Sequence, residues 1–123
     1  MAKSRKRKRI MEAVTKDLEI EQGSDFSISF TFQQEDGTPI NFTGYSIRGQ
    51  IRKSVQSSNP SLTLTAAITD PTKGIITLSL TNAQTKSIKA GEYVYDVEIY
   101  TGSDALVYRI ISGQAFISAE VTR

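Results

Sequence analysis

The segment that decides the fold runs from Gly74 to Ile99 and reads GIITLSLTNAQTKSIKAGEYVYDVEI. Alternating apolar and polar residues predict a strand over residues 75–80 and a second strand from Gly91 onward. Between them, Thr81 is followed three residues later by Gln84, which is the spacing of a capping box at the start of a short helix. A short helix between two strands is a common way for a chain to cross between the sheets of a β-sandwich.

The same two-residue period recurs on both sides of this segment. The clearest case is residues 25–33, where aromatic and isoleucine side chains alternate with serine, threonine and glutamine. Further strands are predicted at residues 17–21, 45–53, 62–68, 105–111 and 114–121, with turn residues between them. Seven or eight strands at intervals of about ten residues indicate an antiparallel β-sandwich or barrel.

Aromatic residues favour the sandwich over the barrel. Four phenylalanines are expected to point inward: Phe26, Phe30, Phe32 and Phe116. Burying the side chain of each would stabilise the fold by on the order of 2 kcal/mol. Covering that set needs two sheets. Gly113, between the last two predicted strands, indicates a bulge or a kink.

Composition limits the classes of protein that this chain can belong to. Its 123 residues suit one domain, and they include no cysteine, histidine or tryptophan. Without histidine and cysteine there is no Ser-His or Cys-His nucleophile pair, no imidazole or thiolate metal ligand and no disulfide. We therefore predict a protein that is not an enzyme, with no catalytic residues, no metal site and no cofactor, made in a reducing compartment.

Charge is divided unevenly along the chain. The first nine residues carry six basic side chains and no acidic one: Lys3, Arg5, Lys6, Arg7, Lys8 and Arg9. The remaining residues hold 9 basic and 13 acidic groups, so a basic arm precedes a mildly acidic domain. We place the arm at residues 1–16 and the sandwich domain at residues 17–123. The spacing of Ile10, Met11 and Val14 suits a helical turn within the arm.

Three interpretations of the arm stay open. Such a run cannot fold alone, because its charges repel one another and no apolar group offsets the entropy of ordering. We favour docking onto an acidic surface of a neighbouring protein. Binding to the phosphates of a nucleic acid and a solvated tail are the alternatives, and the lack of interleaved aromatic residues argues against recognition of bases.

Neither a membrane contact nor processing is expected. No apolar run approaches the roughly 20 residues that span a bilayer. Residues 10–14 are too short and too acidic for the apolar part of a signal sequence, although the charged residues before them resemble its start.

Two acidic motifs have a functional and a structural interpretation. Asp96 and Glu98 share one strand face at a spacing compatible with glycoside hydrolysis, but Arg109 on the next strand could pair with them on an ordinary solvated face. Asp36 and Gly37 resemble part of a calcium loop without its full spacing. We favour the solvated face and an ordinary turn.

Four tyrosines lie near the last hairpin. Tyr93 and Tyr95 share a strand face with apolar residues, so we assign them to the core. Tyr100 and Tyr108 are the candidates for an interface, because an exposed tyrosine can stack on a sugar or anchor a protein contact.

The order of several short motifs resembles a known family. They are QGSDF at 22–26, DGTP at 36–39, FTGY at 42–45, IRK at 51–53, GEYVYDV at 91–97, and Gly113 ahead of AFI at 115–117. Together they resemble small immunoglobulin-like virion proteins of tailed bacteriophages, including the N-terminal domain of the upper baseplate protein family, over residues 18–121. The resemblance implies an all-β, immunoglobulin-like sandwich and a structural adaptor that assembles as rings or trimers.

The residues and the resemblance together lead us to expect a non-enzymatic bacteriophage virion structural protein, a tail or baseplate adaptor that joins neighbouring subunits. Its partners would be other virion proteins, with a homo-oligomer in the assembled particle, and nucleic acid is a less favoured partner of the arm. The protein would be made in the host cytoplasm and reside in the virion. The absence of a receptor-binding region after the sandwich favours an internal role. A capsid decoration protein, a carbohydrate-binding module and a hydrolase that uses carboxylates alone are the alternatives.

Overall fold

The strands follow the order that the alternation predicts in the computed structural model, which describes residues 13–122. In chain order the elements are β1 (Val14–Thr15), β2 (Leu18–Glu21), β3 (Phe26–Thr31), β4 (Ser46–Arg52), β5 (Leu62–Asp70), a 3₁₀ turn (Pro71–Lys73), β6 (Ile75–Leu80), α1 (Asn82–Ser87), β7 (Gly91–Thr101) and β8 (Leu106–Ser118). The fold is all-β, a two-sheet β-sandwich with one short α-helix, as predicted.

One strand, β5, joins the two sheets. In the larger sheet β1 and β2 lie beside β8, which is followed by β7, β4 and the first part of β5. The smaller sheet contains the rest of β5, then β6 and β3. Residues 62–64 pair with β4 and residues from Thr65 onward pair with β6, so β5 changes sheet along its length.

The first two strands depart from the predicted antiparallel order. β1 and β2 run parallel to β8, with Val14 opposite Ile111 and Glu21 opposite Ser118. A strand therefore replaces the helical turn that we expected around Val14, and the sandwich begins within the residues assigned to the arm. A strand of two residues has no period of its own, so only its pairing with β8 reveals it. Ile10 and Met11 lie outside the described residues.

The bulge in β8 lies at Ile110 and not at Gly113. The register shifts between the pairs Val97–Ile111 and Glu98–Arg109, which leaves Ile110 as the extra residue. The bulge allows Ile110 and Ile111 to be buried together in the core. β8 continues unbroken through Gly113, where a side chain would overlap the carbonyl oxygen of Lys16.

The core lies between the two sheets and is built mainly from alternate residues of β2, β6, β7 and β8. Tyr93 and Tyr95 belong to it, as predicted. The largest side chains that are fully enclosed are Phe42, Leu18, Ile20, Ile51, Ile76, Leu78, Ile99, Ile110 and Ile111.

Three of the four aromatic residues that we expected to point inward do so. Phe32 is buried, while Phe26 and Phe30 are half-buried and pack against the core from β3. Phe116 lies on the outer face, because its two neighbours in β8 are the buried residues. Phe42, in the loop before β4, is buried in the core instead and meets Phe32 edge to face, with ring centroids 5.7 Å apart.

The helix begins where the capping box predicts. The Thr81 hydroxyl accepts a hydrogen bond from the backbone N–H of Gln84 at 3.2 Å, and the Gln84 side chain accepts one from the Thr81 N–H at 2.8 Å. These two bonds satisfy donors that the first helical turn leaves unpaired.

Candidate interaction surfaces

Ion pairs cover the outer face of β4, β7 and β8. Nε of Arg48 lies 2.9 Å from the Glu98 carboxylate, and its Nη1 lies 3.4 Å from Asp104. Nε of Arg109 lies 3.5 Å from Asp96, so the predicted pairing of Arg109 with this face is observed. All five side chains are in contact with solvent, and each such pair contributes at most about 1 kcal/mol. The face is a solvated one held by cross-strand pairs.

The Asp96 carboxyl has a raised pKa. Partial burial is the main cause, the Glu98 carboxylate adds to it, and Arg109 and Arg52 oppose it. A raised pKa suits a general acid, but neither carboxylate lines either of the two grooves described below. The structural interpretation accounts for both side chains.

Tyr100 and Tyr108 lie on opposite faces of the larger sheet. Tyr108 is opposite Ile99 on the core side and packs edge to face on Tyr45, with centroids 6.3 Å apart. Tyr100 is the next residue after Ile99, so it points outward, and Cζ of Arg48 lies 4.3 Å from its ring centroid. The two rings therefore do not form one platform, and the outward-pointing ring of Tyr100 is already covered by the guanidinium of Arg48.

The turn at Asp36 is an ordinary one. One carboxylate oxygen accepts hydrogen bonds from the backbone N–H of Thr38 at 3.0 Å and from its hydroxyl at 2.7 Å. The backbone bond, followed by the hydroxyl bond, lowers the pKa of Asp36. Within residues 13–122 no group of three or more histidine, cysteine, aspartate or glutamate side chains is arranged to hold a metal ion.

The predicted docking residues of the arm lie outside the described residues. These are Lys3, Arg5, Lys6, Arg7, Lys8 and Arg9. Their role stays a prediction. The structure does locate the point where the arm joins the sandwich, which is at β1, with Val14 opposite Ile111 in the middle of β8.

One edge of the smaller sheet, along β3, is open. β3 pairs with β6 over all its six residues, and no described strand pairs with its other side. Its inward residues Phe26, Ile28 and Phe30 are only half-buried. Natural edge strands are protected by charged residues, prolines or bulges, and β3 has none of these. The strand is therefore suited to pairing with a strand of another chain.

An acidic groove of about 430 Å³ lies at one end of the larger sheet, beside β2. Four carboxylates line it, from Glu19, Glu21, Asp25 and Glu92, and none of its described lining residues is basic. A second depression of about 330 Å³ shares Glu21 and adds Glu120. This acidic end of the sandwich contrasts with the part of the outer face where Asp96 and Glu98 are paired with arginines.

An aromatic ring lies between two of these carboxylates. Phe116 is directly opposite Glu19 on β2 and directly opposite Glu92 on β7. Residues that face each other across a ladder point to the same side of a sheet, so the ring and both carboxylates share the outer face.

Helix α1 holds the turn that borders the acidic groove. The hydroxyl of Thr85, fully buried, donates to the carbonyl of Ser24 at 2.9 Å and accepts from the N–H of Gly23 at 2.9 Å. The Asp25 carboxylate accepts from the backbone N–H of Asn82 at 2.7 Å. These bonds fix the turn between β2 and β3 and position Asp25 at the groove.

Sequence reasoning led us to expect that exposed strand edges meet neighbours, but it did not identify β3 as the open edge, and it missed the acidic groove. The groove takes residues from four strands, and periodicity does not say which strands are neighbours. The available signal was the spacing of Glu19, Glu21 and Asp25, which places acidic residues on both sides of the turn between β2 and β3.

These features define a small β-sandwich domain with an open edge and a charged groove. Residues 12–118 match the family described as the LtfC-like β-sandwich domain, and the chain belongs to this family. LtfC is a phage-associated protein, so the coarser part of the resemblance, a phage-related β-sandwich, is confirmed. Membership of the upper baseplate family is not confirmed.

Among solved structures, InlP of Listeria monocytogenes is similar to this chain, with a TM-score of 0.48 and 16% sequence identity. The similarity covers 86% of this chain and 28% of the InlP chain, so this chain spans less than a third of that structure. A likeness of this size carries no functional argument. No curated protein matches the sequence.

In the part of the chain that the structure describes, no helix has the length and apolar character that crossing a bilayer requires.

Proposed function

We propose that the protein is a non-enzymatic structural protein of the bacteriophage virion, a tail or baseplate adaptor that joins neighbouring subunits. The observation that carries the proposal is the open edge of β3, in a domain whose family is phage-related. A rigid sandwich with one unprotected edge accepts a strand from a neighbour by extending its smaller sheet.

The backbone of β3 presents hydrogen-bonding groups to that edge. The N–H of Phe32, just after β3, donates to the carbonyl of Gly74 on the β6 side at 2.8 Å. Backbone groups of successive residues point to opposite edges, so the N–H groups of Ser27, Ser29 and Thr31 point away from β6. An added strand would pair with them and would also cover the half-buried apolar row of β3.

The charge split supports the same role. A basic arm is suited to act as a tether during assembly, because its six positive charges attract an acidic surface of a neighbour. Nucleic acid is the competing partner of the arm. The carbohydrate-binding module is not proposed, because its two candidate tyrosines lie on opposite faces.

Deletion of residues 2–9 tests the tether. We expect a melting temperature within a few degrees of the unaltered chain and loss of incorporation into phage particles. Unchanged incorporation would contradict the tether. Electron microscopy of the native particle would distinguish a tail or baseplate position from a position on the capsid.

A substitution in β3 tests the open edge. Ser27→Pro removes an N–H that an added strand would use and leaves the bonds to β6 in place. Ser27→Ala removes only the hydroxyl and serves as the control. We expect the proline variant to fold and to lose incorporation, and the alanine variant to retain it. Equal incorporation of both folded variants would argue against strand pairing at β3.

A further inference from the structure

We infer that the acidic groove binds the basic arm of a second copy of this chain, so that copies associate head to tail. The inference rests on the proposed function and deepens it, because it names the neighbour that the arm meets. It concerns the groove beside β2, which reaches β3 only at Phe26, the first residue of that strand.

The groove has the chemistry that recognises arginine and lysine. Glu19 and Glu92 lie on the two strands that flank Phe116, so their backbones are about 10 Å apart with the ring between them. A guanidinium or an alkylammonium stem packs on the face of an aromatic ring while its charge meets a carboxylate. Carboxylates alone would attract any cation, whereas the ring between them suits a basic side chain.

The described residues leave the charge of the groove uncompensated. In the part of the chain that the structure describes, no ion pair involves Glu19, Glu21 or Glu92, whereas Asp96, Glu98 and Asp104 are each paired with an arginine. The ammonium of Lys53 lies near Glu92 but donates to its backbone carbonyl at 3.3 Å and sits 4.8 Å from the ring centroid of Tyr93. Among the described residues, none neutralises the carboxylates of the groove, so its charge suits a cationic segment.

Chain direction favours an arm from a second copy over the chain's own arm. β1 and β2 run parallel to β8, and Val14 is opposite Ile111 whereas Glu19 is opposite Phe116, so the chain runs from β1 toward the groove. To enter its own groove, the arm would have to reverse direction and return past β1 and β2. An arm from a neighbouring copy has no such restriction.

Separation of the two surfaces sets the symmetry of the assembly. The arm joins one part of the sandwich and the groove lies at another, so the contact is heterologous. Repeating such a contact closes into a ring or continues as a filament.

Self-association of the full-length chain tests this inference. Sedimentation velocity on nuclease-treated protein over a concentration series should show association in 50 mM salt and loss of most of it in 500 mM salt, because screening weakens exposed charge pairs. Glu19→Gln with Glu92→Gln should reduce the association constant at least tenfold. The matched control, Glu35→Gln with Asp104→Asn, removes the same charge from exposed sites outside the groove and should leave it within about twofold.

A mixing experiment distinguishes association between copies from other uses of the arm. A chain with Arg7, Lys8 and Arg9 each changed to glutamine keeps its groove, and the groove variant keeps its arm. Each should be monomeric alone, and an equimolar mixture should form a one-to-one dimer. Phe116→Leu should weaken association while the chain stays folded. A monomer at every concentration in 50 mM salt, or equal losses in the groove variant and its control, would overturn the inference.

The outcome is separable from that of the proposed function. If the free chain does not self-associate but deletion of the arm still prevents incorporation, the virion role stands and the groove inference fails. If the chain self-associates through the groove but is absent from particles, the proposed function fails and the inference stands.

Discussion

The hydroxyl of Tyr95 donates a hydrogen bond to the backbone carbonyl of Lys16, 79 residues earlier in the chain. Tyr95 is opposite Gly113, and the missing side chain at Gly113 leaves room for the Lys16 carbonyl. One buried ring thus ties β7 across β8 to the link between β1 and β2. The attachment point of the arm depends on this contact.

Tyr95→Phe tests the contribution of this bond. Losing it should lower the free energy of unfolding by about 1 kcal/mol at neutral pH, as measured by chemical denaturation. The variant keeps the ring and therefore the packing. A variant as stable as the parent would show that the bond contributes nothing.

The same hydroxyl makes stability depend on alkaline pH. Burial, with a smaller effect of Asp17, raises the pKa of Tyr95 to about 12 from a value near 10 when unfolded. A pKa raised in the folded state contributes stability that is present below pH 10 and is lost as the pH rises toward 12. The free energy of unfolding, measured by chemical denaturation at a series of pH values between 9 and 12, should therefore decrease less steeply with pH for Tyr95→Phe than for the parent. The variant should keep part of the pH dependence, because burial also raises the pKa of Tyr45. If the free energy of unfolding depended on pH identically in parent and variant, the raised pKa of Tyr95 would not be a cause of the alkaline loss of stability.

Gly113→Ala should be destabilising by about 1–3 kcal/mol, because a new Cβ would overlap a backbone carbonyl that Tyr95 holds in place. Gln114→Ala, an exposed change at the next residue, is the control and should stay within about 0.5 kcal/mol. Thermal or urea unfolding measures both. A tolerated alanine would mean that the link between β1 and β2 moves freely away from β8.

Thr85→Val should destabilise the protein by about 1–3 kcal/mol, because the N–H of Gly23 and the carbonyl of Ser24 both lose their partner. Thr85→Ser retains the hydroxyl and should retain most of the stability. Amide exchange should show faster opening of residues 22–25 in the valine variant only. Equal exchange in both variants would mean that the helix does not hold this turn.

Asp96→Asn should change the free energy of unfolding at pH 7 by no more than about 0.5 kcal/mol, and toward greater stability if at all. The pKa of Asp96 is raised, so this carboxyl contributes stability only at acidic pH and loses it as the carboxyl ionises. Urea denaturation at pH 4 and pH 7 checks the sign. A loss above 1.5 kcal/mol at pH 7 would show that its pair with Arg109 matters more than exposed pairs usually do.

Much of the fold was predictable because a buried face imposes a period of two on each strand. The capping box at Thr81 located the helix for a similar local reason. Phe116 was assigned to the wrong face because a phenylalanine gives a stronger apolar signal than the small Ala115 beside it, although Ala115 is the buried one. Strand β1 and the bulge at Ile110 depend on the partner strand and have no local signal.

The surfaces were less predictable than the fold. The ion pair of Arg109 followed from neighbouring strands of one hairpin, which sequence order alone specifies. The acidic groove forms because β2 lies beside the end of β8, and this parallel pairing joins residues nearly a hundred positions apart. No pattern within a short window indicates such a contact.

The passage of β5 from one layer to the other has a mechanical consequence. A sandwich whose layers meet only through side chains can separate along the plane between them when it is pulled. Here the backbone of a single strand is bonded to β4 at one end and to β6 at the other, so separation has to unzip a ladder of backbone hydrogen bonds. Tension applied to one sheet is therefore transmitted to the other through covalent bonds.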